Sequence, residues 1–585
     1  MDPAELRRPS LGWKRFFPFM IWLPKMNGET LRADFIAGLT VALVAIPQSL
    51  AYAQLAGVPA YYGLYAALIP TIIGALWGSS PALSTGPVAM TSLLTAASVM
   101  TVATMGTEQF YAYVILMALL SGIFQIGLGL ARMGVLLNFL SYPVLRGFIN
   151  AAAIIIGLSQ LPSMLGIPLK NSTHFLSDVF HVIEHSSHAH MPSLAFGAGS
   201  LLALLLLKKF APRLPGVLIV VASSTVLSYL IGFEASGGKV VGAIPQGLPN
   251  FSIPPMHWQA AMQMLPAAFV IALISFMEAM SSSKIIAIKT RTEWDENQEL
   301  IAQGMAKISA AFSNAMPVSG SFSRSALNLA SGAKTGMASV FSALLVLITL
   351  LFFTPMLYHL PKPVLAAVIM MAVFSLINVQ TIKDAWNAGK ADGIAGIVTF
   401  VATLAFAPNI QNGILTGILL SLALFLMHTM KPRIALLGLD EDSGTLREAK
   451  LYNLPKLHPQ VTSLRFDGEL YFANVSYFEE SVLYLVSNDP DLKVILIDGS
   501  GINSLDASGV EMLRNLVPRV EKEGIALSFF NLKPAVVSVM KRTGLLDMIG
   551  DKCIFSTERS ALRAIDSCMR EEAKKTEEAP TSEPA

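Results

Sequence analysis

The stretch Met316-Pro-Val-Ser-Gly-Ser-Phe-Ser-Arg-Ser-Ala-Leu-Asn328 sets Arg324 and four alternating serines, Ser319 to Ser325, inside strongly apolar sequence. Pro317 and Gly320 interrupt the chain, and a helix is predicted from about Ser321. A second stretch repeats the design. Thr85–Leu94 (TGPVAMTSLL) follows a Gly-, Ser- and Pro-rich run, and proline is well placed in a first helical turn because its missing N–H would be unpaired there anyway. A second short helix is therefore predicted from about Pro87. Paired Gly/Pro-interrupted spans at corresponding positions point to an inverted repeat with its binding site at the two breaks.

The surrounding composition fits that reading. The chain has 585 residues, 53% hydrophobic and 14% charged, with mean hydropathy +0.58; a soluble domain carries about 25% charged residues. A polytopic α-helical membrane protein embedded in a lipid bilayer is expected. Net charge +2 gives no field for nucleic acid. Cys553 and Cys568 have no metal-site spacing, so neither a disulfide framework nor a metal is expected, and no cofactor is implied. No cleavable signal pattern is read in the basic first 32 residues.

No charge occurs from Phe35 to Thr107, and further uncharged runs cover 147–169, 240–277 and 335–361. Fourteen segments follow, at 33–54, 60–78, 88–104, 110–131, 142–164, 192–209, 215–233, 264–283, 298–314, 318–331, 337–357, 362–378, 393–408 and 411–430. The two broken stretches are the third and tenth, each the third member of a seven-segment half. Lys and Arg fall mainly in alternate loops: Arg132 and Arg146; Lys208, Lys209 and Arg213; Lys284, Lys289 and Arg291; Lys334; Lys383 and Lys390; Lys431 and Arg433. By the positive-inside rule and the even number of segments both termini are expected in the cytoplasm; the expected location is the inner (plasma) membrane.

The expected division is a cytoplasmic N-terminal segment 1–32, a membrane domain 33–431, a linker 432–456, a small α/β domain 457–570 and a disordered polar tail 571–585. Within the α/β domain, Val461–Phe472, Leu492–Asp498 and Ala526–Leu532 read as strands. Ala507–Glu523, Pro534–Thr543 and Glu558–Met569 read as helices.

Helix N-termini expose unpaired N–H groups and partial positive charge, so two of them facing each other make an anion site. Arg324 adds a full charge and Ser321 and Ser323 add hydroxyls, while Ser319 and Ser325 equally suit close helix packing. Glu278 is the only acid in its span and must bind a proton or pair with a cation such as Arg324. If it shares a cavity with Arg324, its protonation frees positive potential for an anion; a static pair holding two spans is the competing reading. Pro47 kinks the first span, and Gln48 and Tyr52, four apart, share one helical face.

Together, IPQSLAYAQLAGVPAYYGLYAALIP (46–70), STGPVAM (84–90), FMEA (276–279) and PVSGSFSRSALN resemble the sulfate permease (SulP) family, over about residues 35–570. The resemblance implies a 7+7 inverted repeat with UraA-like core and gate domains, an elevator motion and a homodimer. It implies substrate contacts at Gln48, Tyr52, Val88, Ala89, Ser321, Phe322, Ser323 and Arg324, although several animal members carry phenylalanine where Val88 stands. Glutamate at the Glu278 position is similar to the proton-coupled sulfate or dicarboxylate carriers; sodium-coupled bicarbonate members tend to have aspartate. VILIDGSGINSLDASGVEML (494–513) resembles a STAS domain, with Ser508 at the phosphorylatable position. Ser504 or Asp506 as a helix cap, with Ser508 merely a first-turn residue, is the plainer account.

The expected function is secondary active transport of a small inorganic oxyanion, sulfate with protons; bicarbonate with sodium and C4-dicarboxylate with protons are alternatives. A membrane sensor signalling through the STAS domain is a reading of another class. His181-Val-Ile-Glu-His185 spells H-x-x-E-H, but no third ligand or soluble catalytic fold accompanies it, and a solvated polar loop is expected. Asn171-Ser-Thr173 in the same loop is a glycosylation sequon.

Overall fold

In a computed structural model, which describes residues 16–134, 141–167, 175–211, 214–374 and 376–577, helices occupy all fourteen expected segments. Seven are long and apolar enough to cross a membrane: Gly28–Leu55, Glu108–Leu130, Tyr142–Leu165, Met191–Phe210, Trp258–Thr290, Met337–Leu357 and Ile410–Met430. Shorter helices fill the rest: Tyr61–Trp77, Ala89–Val99, Gly216–Leu230 and Lys362–Phe374, with Glu296–Phe312, Phe322–Ala330 and Lys390–Ala405. The sequon, His174, Lys170, Arg213 and the first basic residues lie outside the described residues.

The helices pack as a 7+7 repeat requires. Glu108–Leu130 packs on Trp258–Thr290 and Glu296–Phe312, just as its counterpart Met337–Ile348 packs on Gly28–Leu55 and Ile69–Trp77. Tyr142–Ser159 meets Lys390–Ala405 as Lys362–Phe374 meets Met191–Phe210. Small residues permit the closest crossings. A Cβ on Gly122 would stand 2.9 Å from the Gly304 carbonyl oxygen, and one on Gly304 would stand 2.8 Å from that of Gly122.

The two breaks meet at the centre of this symmetry. Thr85–Gly86 (β1) and Ser319–Gly320 (β2) pair antiparallel, Thr85 opposite Gly320 and Gly86 opposite Ser319. The backbone left free by the interruptions is bonded inside the protein, as non-helical chain at membrane depth requires unless it lines a water-filled cavity. Ser321 N donates to the Ser84 carbonyl at 2.8 Å, Ser84 N to Ser325 Oγ at 2.9 Å, and Thr71 Oγ1 to the Thr85 carbonyl at 2.9 Å. The first span differs from expectation in starting earlier and in continuity: Gly28–Leu55 begins five residues before the expected segment and runs unbroken through Pro47.

The chain divides into two compact units, Met1–Ser421 and Leu422–Ala585. The second is built on a six-stranded sheet of order β4-β3-β5-β6-β7-β8, namely Arg433–Asp440 (β3), Thr445–Glu448 (β4), Val461–Asp467 (β5), Val494–Asp498 (β6), Ala526–Phe530 (β7) and Ile554–Phe555 (β8). The last four run parallel, with helices Val475–Asn488 and Ala507–Lys522 between them. Phe466, Phe478, Ile495, Ile497, Leu513 and Leu516 are buried in its core.

The expected polar loop around His181 is instead the helix Phe175–Glu184, and two stretches of the second unit also depart from the sequence reading. Residues 432–456, expected as a linker, form the β3–β4 hairpin. Ala435 and Leu437 turn inward at period two, and Gly444 takes the positive φ of +66° that the connection needs. The last helix, Glu558–Glu577, runs seven residues into the expected disordered tail. Its EEAKK run favours helix, and Arg570 pairs with Asp566 one turn earlier at 2.8 Å.

Candidate functional site

Each break launches a helix. Val88, in extended conformation, precedes Ala89–Val99. Ser321 precedes Phe322–Ala330, and its side chain accepts from Arg324 N. The β1–β2 pair therefore brings two helix N-termini together, with Arg324 in the first turn of the second. The Arg324 side chain is 2% exposed. Its Nη1 donates across the repeat axis to the Pro87 carbonyl at 2.8 Å, while its Nη2 is buried without a protein partner.

Other orphaned atoms lie in this region, two of them on residues that the sequence singles out. Gln48 Oε1 and Glu278 Oε2 are likewise buried without a partner. Arg324, Tyr52 and Glu278 lie within electrostatic reach of one another, and Gln48 sits one turn before Tyr52. A bound anion accepting from Arg324 Nη2 and from the exposed helix N–H groups matches this donor set. Among the described residues Arg324 and Glu278 make no ion pair, so the static pairing of two spans is not what the geometry contains.

The four serines divide by role. Ser319 Oγ donates to the Ser275 carbonyl at 2.7 Å, and Ser325 Oγ accepts from Ser84, so both tie the crossing together. Ser321 caps its helix and stands 3.5 Å from the exposed Ser323 hydroxyl. Val88 and Ala89 are buried at the other helix start, whereas Phe322 is 47% exposed. Gly86 matters for Arg324, because a Cβ there would stand 3.0 Å from Nη2. A cavity of about 370 Å³ borders the Ala89–Val99 helix, but it is lined by Gln54, Leu93, Ile155 and Pro408 among others and includes no atom of Arg324 or Glu278.

Sequence reasoning missed three buried charges. Lys307 is fully buried, donating from Nζ to Gln125 Oε1 at 2.7 Å and Ser275 Oγ at 2.6 Å. Glu299 accepts from Ser79 N at 2.9 Å and Ser80 N at 3.2 Å. Asp34 accepts from Lys334 N at 2.6 Å and Thr335 N at 3.1 Å. The rule that singles out Glu278, a charge within an apolar span, applies equally to Lys307.

In the second unit, Asp506 Oδ1 accepts from Gly509 N at 2.8 Å and its Oδ2 from Phe472 N at 3.0 Å, so Asp506 is the helix cap and Ser508 a first-turn residue. The His181 and His185 rings stack 4.0 Å apart. Among the described residues no group of three His, Cys, Asp or Glu could hold a metal ion.

Comparison with known proteins places this geometry. The model of the Sulfate permease family matches residues 31–403, and that of the STAS domain residues 455–561. Probable sulfate transporter 4.2 of Arabidopsis thaliana is 32% identical over 94% of this chain and 83% of its own length. The chloroplastic sulfate transporter 4.1 of the same plant is 32% identical over 96% and 84%. In structure, the murine Solute Carrier 26 family member A9 anion transporter, in its inward-facing state, superposes with TM-score 0.87 at 24% identity, covering 96% of this chain and 97% of that one. The transmembrane domain of the cyanobacterial bicarbonate transporter BicA gives 0.58 at 21% identity, over 68% and 98%.

Proposed function

The chain belongs to the sulfate permease family, a multi-pass membrane transporter and not an enzyme, and we propose that its cargo is sulfate, taken up with protons. The observation that carries this reading is the buried, half-satisfied Arg324 guanidinium between two helix N-termini. A preformed donor set of that kind replaces the hydration of a small oxyanion. The names of the plant relatives supply the choice of sulfate among such anions.

In this reading Arg324, Ser321, Ser323 and the N–H groups following Val88 and Ala89 hold the anion. Gln48 and Tyr52 close the site from the first span, with Phe322 at its rim. Glu278 carries the proton: its protonation removes a negative charge from the neighbourhood of Arg324, so anion and proton favour each other's binding. The core helices, which share the breaks, then move as one body against the gate helices, an elevator motion within a homodimer. Both termini and the STAS domain face the cytoplasm, as the loop charges indicate.

The test is uptake of labelled sulfate into proteoliposomes holding the purified protein, with bicarbonate and succinate as competitors and with or without sodium. Sodium-independent sulfate uptake that Arg324→Ala abolishes is expected. Sodium-dependent bicarbonate uptake without sulfate uptake would contradict the assignment of cargo and coupling ion.

A further inference from the structure

Lys307 stands outside the anion site as drawn above, yet it is a second buried basic side chain linked to it. From its ammonium, Ser275 bridges to the crossing: Ser275 Oγ accepts from Lys307 Nζ at 2.6 Å, and the Ser275 carbonyl accepts from Ser319 Oγ on β2 at 2.7 Å. Glu278 lies one helical turn beyond Ser275 and within electrostatic reach of Lys307. The other hydrogen-bond partner of Lys307 is Gln125 Oε1, so no carboxylate is bonded to the ammonium. Glu299 lies about 12 Å farther along the same helix, held by Ser79 and Ser80 N–H groups. Asp34 is likewise held by backbone N–H groups, those of Lys334 and Thr335.

With Lys307 in its ammonium form, the local charges are Arg324 and Lys307, both positive, and Glu278, negative or neutral; Glu278 lies within reach of both cations, and Tyr52 within reach of Arg324 and Glu278. Net charge in a low-dielectric interior is costly. With Glu278 ionised, the cluster carries one excess positive charge, which a monoanion balances. With Glu278 protonated it carries two, which a dianion balances. We propose that Lys307 fixes the valence of the anion that travels with the proton, making the proton-coupled cargo a dianion. Without this ammonium, protonated Glu278 and Arg324 together are balanced by a monoanion, and proton coupling passes to monovalent anions. This inference rests on the proposed proton-coupled anion transport and adds to it a residue that sets specificity.

Neutralisation at 307 is compatible with the fold, because Gln125 Nε2 already donates to Ser275 Oγ at 3.0 Å and to the Ala272 carbonyl at 2.9 Å. The full-length protein and its Lys307→Met, Lys307→Gln and Lys307→Arg variants are reconstituted, and labelled sulfate and labelled chloride uptake are compared with and without an inward proton gradient. In the unmutated protein the gradient stimulates sulfate and not chloride. In the neutral variants the sulfate-to-chloride ratio falls by about tenfold or more, the Coulomb effect of one nearby unit charge, and chloride uptake becomes proton-stimulated. Lys307→Arg keeps the original preference.

An unchanged ratio in monodisperse neutral variants, or an equal loss of both anions, overturns the proposal by showing a structural lysine. Proton stimulation of both anions in the unmutated protein overturns it whether or not any variant folds. Failure of the unmutated protein to move either anion instead defeats the transport reading on which the proposal rests.

Discussion

Arg324 and Pro87 are joined across the two halves of the membrane domain, the Arg324 Nη1 donating to the Pro87 carbonyl at 2.8 Å. Each residue marks the start of one interrupted segment, so a single hydrogen bond registers one repeat against the other at the point where both helix dipoles are exposed. One half of the Arg324 side chain orients, and the other half, Nη2, is left without a protein partner.

Replacement of that side chain separates charge from geometry. Arg324→Ala is expected to weaken sulfate binding about 100-fold or more, since hydrogen bonds involving charged groups contribute about 1.5–3 kcal/mol each. Arg324→Lys keeps a point charge but cannot present two fixed donors, and a loss of about tenfold is expected. Binding of labelled sulfate to detergent-purified protein measures both; equal affinity of Arg324→Ala and the parent protein would remove Arg324 from the site.

Gly86 is predicted to control the position of the guanidinium. A Cβ there would sit 3.0 Å from Arg324 Nη2, tight enough to displace the group by a few tenths of an ångström. Gly86→Ala should raise the KM for sulfate about three- to tenfold with little loss of folded protein, because a misplaced donor loses much of a charge-assisted bond. A KM unchanged by Gly86→Ala and Gly86→Val alike would show that Nη2 faces no ligand.

The STAS domain offers a stability test independent of transport. Asp506 accepts from both Gly509 N and Phe472 N. Asp506→Ala should cost about 1 kcal/mol, as loss of an N-cap does. In the full-length protein, amide exchange at the start of the Ala507–Lys522 helix should quicken about fivefold. Ser508→Ala should leave exchange there unaltered; the opposite ranking would make Ser508, not Asp506, the cap.

The fourteen segments were legible because hydropathy reports membrane burial directly, and the breaks because Pro87, Pro317 and Gly320 stand in Gly- and Ser-rich runs that interrupt the apolar pattern, unlike Pro47, which a continuous helix accommodates. Arg324 and Glu278 stood out as isolated charges. Lys307 escaped notice because its helix also carries Glu296 and Glu299 near its start, so the span reads as merely amphipathic. The antiparallel pairing of β1 with β2 was not legible at all, since two-residue strands have no periodicity and their partners lie 234 or so positions apart. The β3–β4 hairpin was passed over because charged residues obscure its inward alternation. The final helix was cut short because a Glu/Lys-rich run looks alike in a disordered tail and in a solvated helix.

The central claim, that Glu278 couples a proton to an anion held by Arg324, is tested most directly by Glu278→Gln. Glutamine imitates the protonated acid and cannot ionise. Parent protein in liposomes should accumulate labelled sulfate faster when the outside is acidified, because a proton on Glu278 leaves more positive potential for the anion. The variant should still exchange internal for external sulfate, at a rate indifferent to the pH gradient. Accumulation by Glu278→Gln that still follows the proton gradient would contradict the account.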